Sequence, residues 1–248
     1  MQLTRTLNSY IVAPETTPKF LTLEDILVDF PYLPVQTAVL GQGDDGYPIL
    51  FDLNDPRPGP LLICAEKSAG KTNLLKVIAN SLSRNNSRYD VQLSILSPKP
   101  EEWAGHGGIY PTWERSAGDQ VVELAAVTEQ RRWGRELGAA QVMLLDGLEQ
   151  VKTWDDEPQI FFDWLLREGP AMNVWTIATV SPEASTALGR LMTGFHTRLL
   201  GQVNAPSTAR RLAQSDEGPQ RTNSGVGRFS VQISGNWLAF QTPLADAL

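Results

Sequence analysis

The stretch from Leu61 to Leu82 constrains the fold more than any other. Four apolar residues, Leu61-Leu62-Ile63-Cys64, give way to Ala65-Glu66-Lys67-Ser68-Ala69-Gly70-Lys71-Thr72, after which Leu74, Leu75, Ile78, Ala79 and Leu82 recur at helical spacing. An uninterrupted apolar run suits a strand buried on both faces. Strand, tight loop and core-facing helix in this order open a βαβ unit, which belongs to a parallel sheet.

The loop matches the pattern G-x-x-x-x-G-K-S/T with Ala65 in the first position. Its spacing has a chemical reason. Successive backbone N–H groups from about Lys67 to Thr72 can curl round a phosphate, and the following helix adds its positive end. Gly70 allows close approach of the backbone. Lys71 would reach the terminal phosphates, and the Thr72 hydroxyl would bind the accompanying Mg²⁺. Residues Ala65, Glu66, Lys67, Ser68, Ala69, Gly70, Lys71, Thr72 and Asn73 are therefore the candidate nucleotide contacts, with ATP and Mg²⁺ as cofactors. The bland alternative is a tight turn with a surface lysine; the flanking strand and helix favour the phosphate loop.

Composition narrows the class. With 248 residues and 42% hydrophobic content, the chain can bury a large core, and a single α/β domain with an added arm fits best. A net charge of −7 weighs weakly against nucleic-acid binding, since a local basic channel can hide in a negative total. The one cysteine, Cys64, excludes an intramolecular disulfide and reads as a small buried residue in a reducing compartment. Neither a long uncharged run nor a signal-like start is present, so a soluble, cytoplasmic protein with no membrane partner is expected. The two histidines, His106 and His196, stand far apart, which argues against a metal held by protein ligands alone.

Along the chain, residues 1–34 read as an N-terminal arm, proline-punctuated at Pro14 and Pro18 and carrying a short amphipathic helix. Thr22 caps that helix, and Leu23, Ile26, Leu27 and Phe30 share its face. The face is expected to pack on the chain's own core in preference to a partner. Residues 35–248 form the main domain. Thr37 to Asp52 reads as a hairpin about Gly41-Gln42-Gly43-Asp44-Asp45-Gly46, and Arg228 to Gln241 as a second about Gly235-Asn236. Between them lie strands at Val91 to Leu96, Asn173 to Val180 and Thr197 to Val203, and helical patterns at Gly118 to Leu137 and Thr208 to Gln214. Lys99 follows a strand end, where ligands gather in parallel sheets. Trp133 is expected to be buried, the seven tryptophans serve as core and edge packing, and Ser215 to Gly227 reads as a mobile loop.

A second motif supports the first. Val142-Met143-Leu144-Leu145-Asp146 is an apolar strand ending in a carboxylate, the form in which an aspartate orients the Mg²⁺ that Thr72 also holds. Alone the signal is weak; paired with the phosphate loop it is persuasive.

With these segments in place, the chain resembles the FtsK/SpoIIIE and HerA superfamily of DNA-pumping ATPases from about Val35 to Gln241. Ser97-Pro98-Lys99 stands where the family has Asp-Pro-Lys, and Glu129-Gln130-Arg131-Arg132-Trp133 where it has Glu-x-Arg-Arg-Tyr. Ala178-Thr179-Val180-Ser181-Pro182 aligns with Ala-Thr-Gln-Arg-Pro, and Thr197-Arg198 with a Thr-Arg pair. The resemblance implies a RecA-like P-loop NTPase with a mostly parallel central sheet flanked by helices, plus β-hairpins at the start and end of the domain. It also implies a homo-oligomeric ring or a place in a larger assembly, with double-stranded DNA or a partner protein as substrate.

The departures matter as much. The family's water-activating glutamate follows the strand-end aspartate directly, but here Gly147 stands there and Glu149 comes two residues later. Glu149 could serve as a displaced base only if the chain turns back toward the γ-phosphate. Val180 and Ser181 replace a glutamine and an arginine, and neither can position water or stabilise charge. Thr179 remains a candidate beside them, and Arg198, with Arg210 and Arg211, is a candidate charge supplied to a neighbouring subunit. Losing a positioned base removes on the order of 10² to 10⁴ in rate, so the expected site holds nucleotide and turns it over slowly. Two functions therefore compete: a DNA- or substrate-pumping motor with weakened hydrolysis, and a non-hydrolysing regulatory or structural subunit. The family's motors usually continue into a winged-helix module and carry a membrane part; this chain ends at Leu248 with neither, so a partner would have to orient it on DNA.

Overall fold

A computed structural model describes residues 21–106, 117–134, 137–216, 219 and 225–245. The arm at 1–20 and most of the loop at 215–227 lie outside the described residues. The elements run α1 (Leu23–Asp29), β1 (Thr37–Gly43), β2 (Pro48–Asp52), β3 (Leu61–Cys64), α2 (Lys71–Asn85), β4 (Val91–Leu96), α3 (Ala117–Trp133) and β5 (Ala140–Leu145). They continue with α4 (Asp156–Glu168), β6 (Val174–Val180), α5 (Pro182–Leu188), β7 (Thr197–Leu200), α6 (Pro206–Ala213), β8 (Arg228–Ile233) and β9 (Asn236–Gln241).

Among the described residues, all nine strands join one sheet in the order β2-β1-β9-β8-β7-β3-β6-β5-β4. The five strands from β7 to β4 are parallel, and β4, β5, β6 and β7 are each reached through a helical crossover. The expectation of a mostly parallel sheet needs correction. Both hairpins, read correctly as hairpins, extend this same sheet beyond β7, so four of its eight strand pairings are antiparallel. The reason is connection length. Ser234-Gly235 and the short turn after Gly43 can only reverse the chain, whereas a parallel pairing needs a crossover of a dozen residues.

The strand apolar runs supply two cores, one for each face. Leu61 and Ile63 pack with Leu74, Leu75 and Ile78 of α2, while Leu62 and Cys64 pack into a second cluster with Val121, Phe162 and Leu165 of α3 and α4. Alternation at period two explains why four consecutive apolar residues were needed. On α2, Val77 faces Leu23 and Ile26 of α1 and Val39 of β1. Thr22 caps α1 as expected, accepting from the Asp25 amide at 3.1 Å while Asp25 accepts from the Thr22 amide at 3.0 Å. Burying Leu23 and Ile26 contributes about 1.5–3 kcal/mol each, so this helix face is satisfied within the chain.

Two tryptophans at helix positions behave differently from one another. Trp103 is fully buried in the first core, but Trp133, expected inside, is 81% exposed at the last turn of α3, its indole N–H donating to Glu129 at 2.6 Å. Its neighbour Arg131 takes the structural role, donating to the carbonyls of Met172, Asn173 and Ala139 at 2.7–2.9 Å and clasping α3 to the base of the sheet. No helix among the described residues is long and apolar enough to cross a membrane.

Candidate functional site

Parallel strands deliver their C-terminal ends to one edge, and three neighbours build the site. β3 lies beside β6, which lies beside β5, with Cys64 paired to Val180 and Leu145 to Ala178. The phosphate loop after β3, Thr179 near the end of β6 and Asp146 just past β5 therefore meet. The Thr72 hydroxyl lies 3.1 and 3.0 Å from the two carboxylate oxygens of Asp146. Behind them the buried Thr179 hydroxyl donates to Asp146 Oδ1 at 2.9 Å and accepts the Gly147 amide at 2.8 Å. Thr179 thus links the carboxylate to the turn that follows it, which makes it a positioning residue.

The loop itself is shaped by two left-handed residues, Ser68 at φ 61° and Gly70 at φ 97°. A Cβ on Gly70 would come within 3.0 Å of the Gly227 amide, in a turn that donates to the Ala69 carbonyl at 3.0 Å. Only glycine suits both the backbone angle and the contact. Several loop amides already have partners: those of Ala65, Glu66 and Ala69 donate to Val180, Gln202 and Glu66 carbonyls. The amides of Lys67, Ser68, Gly70, Lys71 and Thr72 take no part in the backbone bonding of the described residues, the last three because a helix leaves its first amides without partners.

Charge is concentrated here. The Lys71 ammonium donates to the carbonyls of Ala65 and Glu66, each at 2.8 Å. Partial burial pulls its pKa below the ordinary lysine range, opposed by the carboxylates of Asp146, Glu149 and Glu66. At the next strand end, Lys99 pairs with Glu102 at 2.7 Å and feels Asp146 more weakly. The Cys64 thiol beneath the loop is fully buried, and desolvation pushes its pKa up to about 12. It is inert packing.

Not every candidate from the sequence converges on the loop. Asn73 turns away: its carboxamide donates to the Pro243 carbonyl at 2.7 Å and accepts the Ala245 amide at 3.0 Å, tying the C-terminal segment to α2. Glu66 points aside to the Asn204 amide at 3.2 Å. Arg198 is 6% exposed, with its guanidinium donating to the carbonyls of Phe195 at 3.3 Å, Leu212 at 2.7 Å and Met192. A side chain held in this way cannot extend to a neighbouring subunit, which corrects the role its motif implied. Arg211 donates to the Ser185 hydroxyl at 3.0 Å. Val180 is buried, and Ser181 caps α5 by accepting the Ala184 amide at 3.3 Å.

Gln150 escaped sequence reasoning. Its amide donates to the carbonyls of Asp146 at 2.6 Å and Gly147 at 3.2 Å, bracing the turn behind the carboxylate. The only signal was its place four residues after Asp146. Val226 and Gly227, which approach Gly70, also gave no sign, because that contact joins residues more than 150 positions apart.

A divalent ion suits the donor set. Mg²⁺ takes oxygen ligands at about 2.0–2.1 Å in an octahedron, so adjacent ligands lie about 2.9 Å apart, close to the Thr72–Asp146 separation. One carboxylate and one hydroxyl, completed by phosphate and water, is a usual arrangement for this ion. Among the described residues, no group of three acidic, histidine or cysteine side chains could hold a metal unaided.

No family model matches the chain. Solved structures do. The chain is similar to EccC (ATPases 2 and 3) from Thermomonospora curvata, in complex with a signal sequence peptide, at 15% identity and TM-score 0.69 over 92% of this chain and 43% of that one. It is also similar to the cytoplasmic domain of EssC, at 16% identity and TM-score 0.69 over 90% of this chain and 46% of that one. The pCW3 conjugation coupling protein TcpA, in a monomer form with ATPγS, matches at 17% identity and TM-score 0.68, covering 92% of this chain and 71% of that one. This chain thus spans less than half the length of EccC and EssC. Its fold is the one these structures share.

Proposed function

We propose that this chain is an FtsK-type ATPase domain that binds ATP with Mg²⁺ through the loop from Lys67 to Thr72 and through Asp146. One observation carries the proposal: the Thr72 hydroxyl and the Asp146 carboxylate, 74 residues apart, meet at 3.0–3.1 Å beside a loop with five amides outside the backbone bonding of the described residues. In an assembly it would drive a DNA or protein substrate; support comes from the secretion and conjugation proteins that share the fold. A non-hydrolysing regulatory role is the second reading. It is favoured by Val180 and Ser181, which bring no polar group to the loop.

Melting curves with and without ATP and Mg²⁺, together with phosphate release with and without duplex DNA, test both. At a hundredfold excess over Kd, bound nucleotide stabilises by about 2.7 kcal/mol, or about 5–11 °C for a domain of this size. Lys71→Ala should abolish the rise. An unchanged melting temperature at millimolar ATP with Mg²⁺ would defeat the binding proposal. Phosphate release that exceeds the Lys71→Ala background and grows with DNA selects the motor, and release at background selects the regulatory subunit.

A further inference from the structure

We infer that Thr242–Ala245 form a strap that holds the phosphate loop in its binding shape, with Asn73 as the anchor, so that nucleotide occupation and strap docking reinforce each other. This rests on the proposed ATP site and adds a means of regulating it. Gly70, Lys71 and Thr72, which that proposal sets nearest the terminal phosphates, are bracketed by two anchors. On one side the Gly227 amide donates to the Ala69 carbonyl at 3.0 Å and lies within 3.0 Å of where a Cβ on Gly70 would stand. On the other side is Asn73, whose carboxamide donates to the Pro243 carbonyl at 2.7 Å and accepts the Ala245 amide at 3.0 Å. The Thr242 amide donates to the Gly227 carbonyl at 2.8 Å, which joins the two anchors into one frame.

Asparagine suits this place for a chemical reason. Its carboxamide presents an acceptor and a donor side by side. It can therefore hold a carbonyl and an amide two residues apart, as the backbone of a neighbouring parallel strand would. Leu244, the residue between them, is held on its other edge by true backbone: its amide donates to the Leu21 carbonyl at 2.9 Å, and it forms a parallel bridge with Thr22. Thr22 caps α1, and Leu21 and Ala245 pack on the cluster of Leu23, Ile26, Val39 and Val77. The strap thus spans from the first turn of α2 to the start of α1.

Coupling follows from ordering. The loop must be fixed before its amides can converge on a phosphate, and a docked strap holds Ala69 and Asn73 in advance, which lowers the entropy that binding has to remove. By linkage, a bound phosphate must tighten the strap by the same factor.

Amide exchange followed by NMR, together with ATP titrations in Mg²⁺, tests this. In the wild type, ATP with Mg²⁺ should slow exchange of the Leu244 and Ala245 amides by about 5-fold or more relative to the Leu53 amide, which donates to Gln36 away from the strap. Asn73→Ala should weaken ATP binding by about the same factor. So should Ala245→Pro, which removes one strap amide and alters no residue of the loop, and the double variant should bind little worse than Asn73→Ala alone. Variants that melt lower without nucleotide yet bind ATP with wild-type Kd would overturn the coupling and leave a purely structural strap. A wild-type melting rise with ATP while strap exchange stays unchanged would also overturn it, with the ATP site left standing. Absence of any melting rise in the wild type would remove the site and the coupling together. The wild-type exchange measurement needs no substitution, so it decides even where a variant fails to fold.

Discussion

Replacing Arg198 separates a structural arginine from a catalytic one. Its three guanidinium nitrogens donate to the carbonyls of Phe195, Leu212 and Met192, so one side chain ties the entry to β7, the end of α6 and the turn before β7 together. Burial lowers its pKa from the usual arginine range, and the group remains charged. Arg198→Ala would leave those carbonyls without their donor. Each buried polar group left unpaired costs about 1–3 kcal/mol, and water entering the vacated volume recovers part of it. A net loss of about 3 kcal/mol is expected, which corresponds to a fall of about 6–12 °C in melting temperature at this chain length. Arg198→Lys should lose most of the same stability, because a single ammonium cannot span three divergent acceptors. Differential scanning fluorimetry without nucleotide gives the readout, and phosphate release per folded molecule gives the control. Melting within about 2 °C of wild type, together with collapsed turnover, would refute the structural assignment and restore a role at a subunit boundary.

Two further outcomes follow from burial. Trp175 is fully buried, with its ring edge against Phe51 at 5.6 Å, and Trp175→Ala should cost about 3–5 kcal/mol, whereas Trp133→Ala on the exposed end of α3 should change stability by less than about 0.5 kcal/mol in urea titrations. Cys64 retains its proton in the folded state up to about 12, against 9.0 for an unhindered thiol. Its contribution to stability is thus complete below pH 9.0 and declines toward pH 12, at about 1.4 kcal/mol per pH unit, because only the unfolded chain ionises in that window. Cys64→Ala should flatten that decline, and native protein at pH 8 should resist thiol reagents until it unfolds.

Much of the site could be read from local spacing. The run Leu61 to Thr72 encodes a buried strand, a phosphate loop and a helix start within one βα unit, and Val142 to Asp146 encodes a strand with a terminal carboxylate. Short-range patterns of this kind carry their own backbone chemistry, which is why the loop, both hairpins and the cap at Thr22 could be placed from the sequence. The exposure of Trp133 could not be: an aromatic residue at the last turn of α3 faces whatever the helix packing leaves there, and Arg131 claimed the inward position.

The sequence by itself determined the spacing of the loop from Ala65 to Thr72 and of the strand-end carboxylate Asp146, because each depends on neighbours within a few residues. Only the tertiary structure decided how they are used. The order β3-β6-β5 brings Thr72, Asp146 and Thr179 within hydrogen-bonding distance across 107 residues of chain, counted from 72 to 179. The left-handed angle at Gly147 turns the chain just after Asp146, and the packing of β7 against α6 buries Arg198. Strand order, backbone handedness and burial arise from contacts between distant segments, which no local spacing encodes.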